Sequence, residues 1–173
     1  MKNTFLPENY TLPTQNGNYL RFKQGDNNFR VLSSAIIGWI DWDNKKPIRT
    51  KEKQEQLGEN PPKHFWAFVV LDLDDNEVEI LEITQSTIQT AILALVKNEK
   101  WGDPKGYDLT VTRTGEDLLT KYTVVPSPHS KLDKEVEKTY KEMEINLEAL
   151  YDGDNPFENK AGKMEEVEPV VRF

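Results

Sequence analysis

The segment from His64 to Leu73 alternates between two kinds of side chain, as a β-strand with two different faces would. One set is uniformly apolar and predicts a core-facing surface: Phe65, Ala67, Val69, Leu71 and Leu73. The other set contains His64, Trp66, Phe68 and Val70. If that second face is exposed, its rings can stack on unpaired nucleobases, an interaction worth roughly 1–3 kcal/mol per base. The alternative is a strand buried on both faces, with Trp66 and Phe68 under a helix.

Basic side chains show a similar alternation in residues 19–23. Leu20 and Phe22 are expected to point inward, and the residues between them to point outward. Lys and Arg neutralise phosphates and release counterions, so basic groups beside aromatic rings favour the binding of a single-stranded nucleic acid. The predicted DNA-binding residues are Tyr19, Arg21, Lys23, Arg30, Trp42, Lys45, Lys46, Arg49, Lys63, His64, Trp66 and Phe68.

Motifs for catalysis and for metal binding are missing from the sequence. The chain has no cysteine and two histidines, which excludes a thiol nucleophile, a cysteine-ligated metal and a histidine-rich metal centre. It also has no glycine-rich phosphate loop of the Walker kind. The acids Asp72, Asp74 and Asp75 fit the chemistry of a turn. We therefore expect a protein that is not an enzyme and that has no metal and no cofactor.

Charge is distributed unevenly along the chain. The 173 residues carry a net charge of −8, yet residues 20–66 hold nine Lys/Arg against six Asp/Glu. Residues 129–173 hold seven Lys/Arg against twelve Asp/Glu. This asymmetry suggests a polyanion site followed by an acidic interaction tail, although ordinary surface scatter produces similar imbalances. The longest apolar run is too short to span a bilayer and no signal peptide is evident, so we expect a cytoplasmic protein with no membrane partner.

The elements that would position these residues belong to a mainly β fold with helices. We predict a five-stranded Greek-key OB-fold barrel with an inserted helix, in which one strand face and its loops bind an oligonucleotide. Residues 43–63 are expected to form a long, mobile basic loop. The predicted organisation is an irregular arm at 1–18, an OB-fold domain at 19–128, an amphipathic helix at 129–151 and a disordered acidic tail at 152–173.

Several blocks of the chain resemble phage-type single-stranded DNA-binding proteins with an OB-fold. These blocks are residues 23–32, 63–70, 80–85 and 101–108, and the resemblance covers about residues 20–128. The resemblance implies a non-catalytic role in phage DNA replication, recombination or repair, in the cytoplasm of a bacterial host. It also implies that the family's groove carries over to Arg21, Lys23, Arg30, His64 and Trp66.

The acidic end resembles the tails of single-stranded DNA-binding proteins, which recruit replication or recombination proteins. That resemblance implies partner-binding roles for Asp152, Asp154, Phe157 and Phe173, although the Pro-Phe pair is internal and Arg172 dilutes the terminal acidity. The chain could also form a homo-oligomer. Two other functions stay open: a non-catalytic OB-fold adaptor of a replisome or virion, and an RNA-binding OB-fold protein.

Overall fold

The structure is a computed structural model, and it describes Phe5 and residues 19–158. In these residues the chain forms an open antiparallel sheet of seven strands with two α-helices, which confirms the expected mainly β class. The strands are β1 (Gly25–Val31), β2 (Ile36–Asp43), β3 (Lys46–Thr50), β4 (Lys63–Asp72), β5 (Glu77–Ile83), β6 (Asp108–Thr114) and β7 (Lys121–Pro126). The helices are α1 (Ser86–Lys97) and α2 (Lys134–Met143), with short 3-10 helices at Pro104–Gly106, Asp117–Leu119 and Leu147–Asp152.

Strand β4 organises the sheet because it pairs along both of its edges. One edge pairs with β2 at the start of the strand and with β1 at its end, and the other edge pairs with β5. Strand β1 also pairs with β6, and β6 with β7. The order is therefore β3-β2-β4-β1-β6-β7, with β5 beside β4. The described part of the chain thus has seven strands where the sequence predicted five.

Both faces of β4 are buried. Its Phe68 and Val70 side chains pack against Ile88 and Ile92 of α1, and we call this side of the sheet the inner face. The alternate residues pack on the opposite, outer face, beneath the C-terminal segment: Phe65, Ala67, Val69 and Leu71. Phe68 is only 4% exposed, so the expectation of an exposed face is wrong there, and the strand lies under a helix as the alternative stated. Leu73 is exposed because it follows β4 at the turn, so its assignment to the core is also wrong.

The expected mobile loop at residues 43–63 contains a hairpin. Strand β3 pairs with β2 through a two-residue turn, in which φ is 50° at Asn44 and 67° at Lys45. Two positive φ angles in such a connection are typical of a type I′ turn, whose twist matches that of the paired strands. The buried carboxylate of Asp41 accepts the Leu57 amide at 2.8 Å and so holds the loop that follows the hairpin.

The chain before β1 also differs from the prediction. Tyr19 forms one parallel bridge with β5, and residues 20–24 belong to no strand. Residues 25–28, which are of turn-forming types, are the start of β1. Threonine hydroxyls of β6 donate to polar side chains of β1: Thr112 donates to Asp26 at 2.7 Å and Thr110 donates to Asn28 at 2.6 Å. Such cross-strand pairs keep a turn-forming sequence extended.

The C-terminal segment packs on the outer face of the sheet. Asp133 caps α2, since its carboxylate accepts the Glu135 amide at 2.8 Å. The expected single helix over residues 129–151 is divided, because α2 ends at Met143 and a 3-10 helix follows at Leu147–Asp152. Apolar side chains from both helices and from the residue Leu132 before α2 cover the outer core: Leu132, Val136, Tyr140, Leu147 and Leu150.

Part of the predicted disordered tail belongs to the fold. Pro156 is buried, and its carbonyl accepts the Asn146 amide at 2.9 Å. The Phe157 ring packs edge-on against Tyr19, with ring centroids 6.2 Å apart. The rest of the predicted tail, residues 159–173 with Phe173, lies outside the described residues, as do residues 1–4 and 6–18 of the predicted arm.

Candidate nucleic-acid interface

Five of the predicted DNA-binding residues line one groove on the outer face, which we call the Trp42 groove. They are Tyr19, Arg21, Trp42, Lys46 and Arg49. The groove has a volume of about 470 Å³. Its other walls come from Glu82 of β5 and from Leu150 and Asp154 of the C-terminal segment. Residues distant in sequence therefore form one cavity.

The β2–β3 hairpin positions the tryptophan of this groove. Trp42 pairs with Pro47 across the hairpin, so its ring shares the outer face with Arg49. The pairing of β2 with β4 ends at Ile40, two residues before Trp42. The ring therefore projects beyond the body of the sheet, and it is 53% exposed. An exposed ring in a cavity is able to stack on a base.

The charges of the groove are partly paired. The Arg49 guanidinium donates twice to Glu82 of β5, from Nε to Oε2 at 2.6 Å and from Nη2 to Oε1 at 3.0 Å. This bidentate pair ties the hairpin to the sheet. Arg21 and Lys46 form no ion pair within residues 19–158, so they are the groove cations that a phosphate could neutralise. Asp154 adds an opposing carboxylate.

Tyr19 forms part of the groove wall and contacts Arg21 and Phe157. The Arg21 guanidinium carbon lies 6.0 Å from the Tyr19 ring centroid, at the outer limit of a cation–π contact. Phe157 packs against the same ring. Burial raises the pKa of Tyr19 above its usual value.

A second tryptophan lies in a different cavity, which we call the Trp66 cleft. This cleft of about 340 Å³ lies between the sheet, α1 and residues 103–105. Its walls are largely apolar and include Phe68, Ile92 and Val96. Its one lining lysine is already paired, since Lys105 Nζ lies 3.5 Å from Asp103 Oδ2. The described walls therefore suit an apolar group and offer a phosphate no unpaired cation.

Arg30 has a structural role that differs from the prediction. Its Nε donates to Asp108 Oδ1 at 2.7 Å, Nη1 donates to the Lys105 carbonyl at 3.2 Å, and Nη2 donates to the Ser130 carbonyl at 3.0 Å. The residue is 3% exposed. The expectation that Arg30 lies in an open groove is wrong, because the fold uses its donors to join three segments of chain.

The other predicted residues lie apart from both cavities. His64 packs its ring 5.0 Å from that of Trp39, and the Lys53 ammonium lies 5.2 Å over the Trp39 ring. Lys45 is exposed in the hairpin turn, and Lys63 is exposed at the start of β4. Lys23 lines a third pocket, beside the β4–β5 turn.

The predicted partner-binding residues are also divided. Asp154 lines the Trp42 groove, while Phe157 is half-buried against the outer core and Asp152 is exposed. Sequence reasoning missed Glu82 and Leu150 as groove residues. Nothing in their local pattern distinguishes them from other strand and helix positions, because the groove forms only when distant segments meet.

Among the described residues no group of three or more His, Cys, Asp or Glu is arranged to hold a metal ion. No described helix is long and apolar enough to cross a membrane. No family model, curated protein or solved structure matches this chain.

Proposed function

We propose that the protein binds single-stranded DNA, largely independently of sequence, through the Trp42 groove. The observation that carries the proposal is the meeting of an exposed tryptophan with Arg21 and Lys46 in one cavity, two cations that have no ion-pair partner among residues 19–158. Unpaired bases offer ring faces to Trp42, and phosphates offer charge to the cations. Duplex DNA hides its ring faces, so the tryptophan favours a single strand.

The strand arrangement supports this proposal, because it is compatible with an OB-fold. In this interpretation β1 continues into β2 as the first OB strand, and β4, β5, β6 and β7 are the other four. The pairings of β1 with β4 and β6, of β4 with β5, and of β6 with β7 agree with it. Helix α1 then stands between the third and fourth strands.

The position of the groove supports the same function. OB-folds bind oligonucleotides on the face of the second and third strands and with the loop between the first and second. Here those strands are β4 and β5, and the corresponding loop region carries the β2–β3 hairpin. The C-terminal segment covers the outer face of β4, so the open part of this surface lies at β5 and the hairpin. Glu82 of β5 and Trp42 of the hairpin both line the groove. The proposed biological role is the coating of unpaired DNA in phage replication, recombination or repair.

The division of roles within the groove follows from its contacts. One base would stack on Trp42, while Arg21 and Lys46 would each neutralise a phosphate. Arg49 is held by Glu82, so we assign it to positioning of the hairpin rather than to phosphate contact. With so few unpaired cations, affinity for one short oligomer should be modest and should depend on salt.

Tryptophan fluorescence during titration with oligo-dT tests the proposal. The chain has four tryptophans, so Trp42→Phe and the matched Trp66→Phe variant separate their signals. We expect quenching in the wild type and in Trp66→Phe, and loss of most of the quenching in Trp42→Phe. Absence of saturable quenching in the wild type, confirmed by absence of a mobility shift, would contradict the proposal and favour a protein-interaction adaptor. Tighter binding of oligo-U than of oligo-dT would favour an RNA-binding protein.

A further inference from the structure

A third pocket, about 290 Å³ in volume, is rich in carboxyl groups, and we call it the acidic pocket. It lies beside the β4–β5 turn and shares Tyr19, Leu20 and Arg21 with the Trp42 groove. Its carboxyl groups belong to Asp72, Asp74, Asp75, Glu77 and Glu79. Lys23 and Arg21 are the cations in its described lining. Five carboxyl groups against two cations make this the most acidic of the three cavities.

Turn chemistry explains part of this cluster. Asp72 Oδ1 accepts the amide of Asp74 at 2.9 Å and the amide of Asp75 at 3.3 Å. Asp74 in turn accepts the amide and the side-chain nitrogen of Asn28, at 3.1 and 3.0 Å. These contacts stabilise the hairpin and need no ligand.

The hydrogen bonds of the turn do not account for the burial of Glu79. The residue is 5% exposed, lines the pocket, and its Oε1 has no hydrogen-bond partner within the described residues. Buried polar atoms normally find a partner, because leaving one unpaired costs the free energy of its lost hydration. The neighbouring Asp72 is equally buried. Glu79 therefore offers the pocket a buried carboxyl oxygen that no donor of the described residues reaches, beside a second buried carboxyl group.

We propose that the acidic pocket binds an organic cation, a primary ammonium or a guanidinium group, whose N–H donors reach the carboxylates of Glu79 and Asp72. Leu20 and the Tyr19 ring, which also line the pocket, suit an alkyl stem and a cation beside an aromatic face. No described cluster of three or more ligands is arranged for a metal ion, which favours the organic cation. This site goes beyond DNA binding and does not depend on it.

A proton should compete with this cation. Burial first, then the neighbouring Asp72, then the charges of Glu77 and Asp75, raise the pKa of Glu79 to about 8. The groups that face the pocket from its other walls are Asp74, Tyr19, Arg21 and Lys23. At pH 7 Glu79 therefore carries a proton that an incoming cation displaces. Affinity should rise about tenfold between pH 7 and pH 9, because the carboxylate becomes fully available.

An NMR titration of the full chain tests the site, with n-butylammonium and methylguanidinium chlorides as probes and magnesium chloride in a separate arm. We expect saturable shifts confined to residues 19–23, 27 and 72–79, with the tenfold pH effect on the dissociation constant. Non-saturable or scattered shifts, or an affinity independent of pH, would overturn the proposal. Saturation by magnesium without saturation by either organic cation would overturn the assignment of the ligand.

Two variants remove the same charge at different places. Glu79→Gln keeps the shape of the protonated carboxyl group and should weaken probe binding at pH 9 at least tenfold. Glu99 lies outside the pocket lining, so Glu99→Gln should leave probe binding unchanged. Equal effects of the two variants would mean that the probes respond to overall charge, which would contradict the site. Spermidine and an acetylated lysine tripeptide then distinguish a free polyamine from a polypeptide side chain.

Discussion

The Trp42 groove and the Trp66 cleft each present a tryptophan to a cavity, yet their chemistry differs. Trp42 lies with Arg21 and Lys46, which have no ion-pair partner among residues 19–158. Trp66 lies among apolar side chains, beside a lysine that is already paired with Asp103. A ring alone does not make a nucleic-acid site. The unpaired charge around the ring separates the two cavities.

The difference arises from the place of each ring in the sheet. Trp66 is in the middle of β4, where α1 covers the inner face and fills it with Ile88 and Ile92. Trp42 is at the far end of β2, beyond the last residue paired with β4. Central strands are covered by other elements, while a projecting hairpin leaves its side chains open to a ligand. Predictions about the inner face therefore concern stability, and predictions about the groove concern affinity.

The largest expected effect is on the inner face. Phe68→Ala should lower the free energy of unfolding by roughly 3–5 kcal/mol, because it removes a buried ring and leaves a cavity. Urea denaturation measures this change. Affinity for oligo-dT, expressed per folded molecule, should be unchanged. A loss of affinity without a loss of stability would show that Phe68 contacts the oligomer and does not belong to the core.

Substitution of Arg30 should affect stability, whereas substitution of Arg21 should affect affinity. Arg30→Ala should lower the free energy of unfolding by about 3 kcal/mol, because it leaves Asp108 without its buried partner. Arg21→Ala, the matched change in the groove, should alter stability by less than about 0.5 kcal/mol and weaken oligo-dT binding. Thermal melts and fluorescence titrations of both variants measure the two quantities. Equal stability losses would show that Arg21 is part of the folded framework.

Alanine substitutions of the two tryptophans should have different effects on affinity and on stability. Trp42→Ala should weaken binding of oligo-dT by roughly 1–3 kcal/mol, because a stacking surface is lost, and should leave the melting temperature nearly unchanged. Trp66→Ala should lower the melting temperature and leave the affinity of folded molecules within about threefold. Fluorescence anisotropy of a labelled oligo-dT avoids dependence on the mutated rings. The opposite pattern would move the interface to the Trp66 cleft.

Salt dependence measures the number of unpaired cations in the groove. With two phosphates neutralised, log K should fall with log salt at a slope of about −1.4 for a single strand. The double variant Arg21→Ala, Lys46→Ala should bring the slope close to zero. A wild-type slope near −3 would mean about four phosphate contacts and would require cations outside the groove.

The smallest expected effect concerns the acidic wall of the groove. Asp154→Asn should tighten oligo-dT binding about two- to threefold at low salt, because it removes a carboxylate beside the cations, and salt should screen the gain. Asp152→Asn removes the same charge outside the groove lining and serves as the control. Unchanged affinity in Asp154→Asn would show that the C-terminal segment does not compete with DNA.

Prediction from sequence succeeded where one short segment carried the whole signal. The strand at His64–Leu73, the turn after it and the helix that follows were all predictable, because a period of two, turn-forming residues and a helical period are local patterns. The hairpin at residues 43–50 was missed, because a type I′ turn with lysine at a positive φ gives a weak signal. The start of β1 was missed because its polar residues find partners on β6.

The sequence alone determined the mainly β class, the two-faced pattern of β4 and the apolar side of α2 with Val136 and Tyr140, since each depends on the spacing of side chains along one element. Only the tertiary structure decided which faces are covered. It buried Phe68 under α1, paired Arg30 with Asp108, and brought residues 19–21, the β2–β3 hairpin and Asp154 into one groove. The physical reason is that burial and charge pairing depend on contacts between segments far apart in the chain, which a local pattern does not encode.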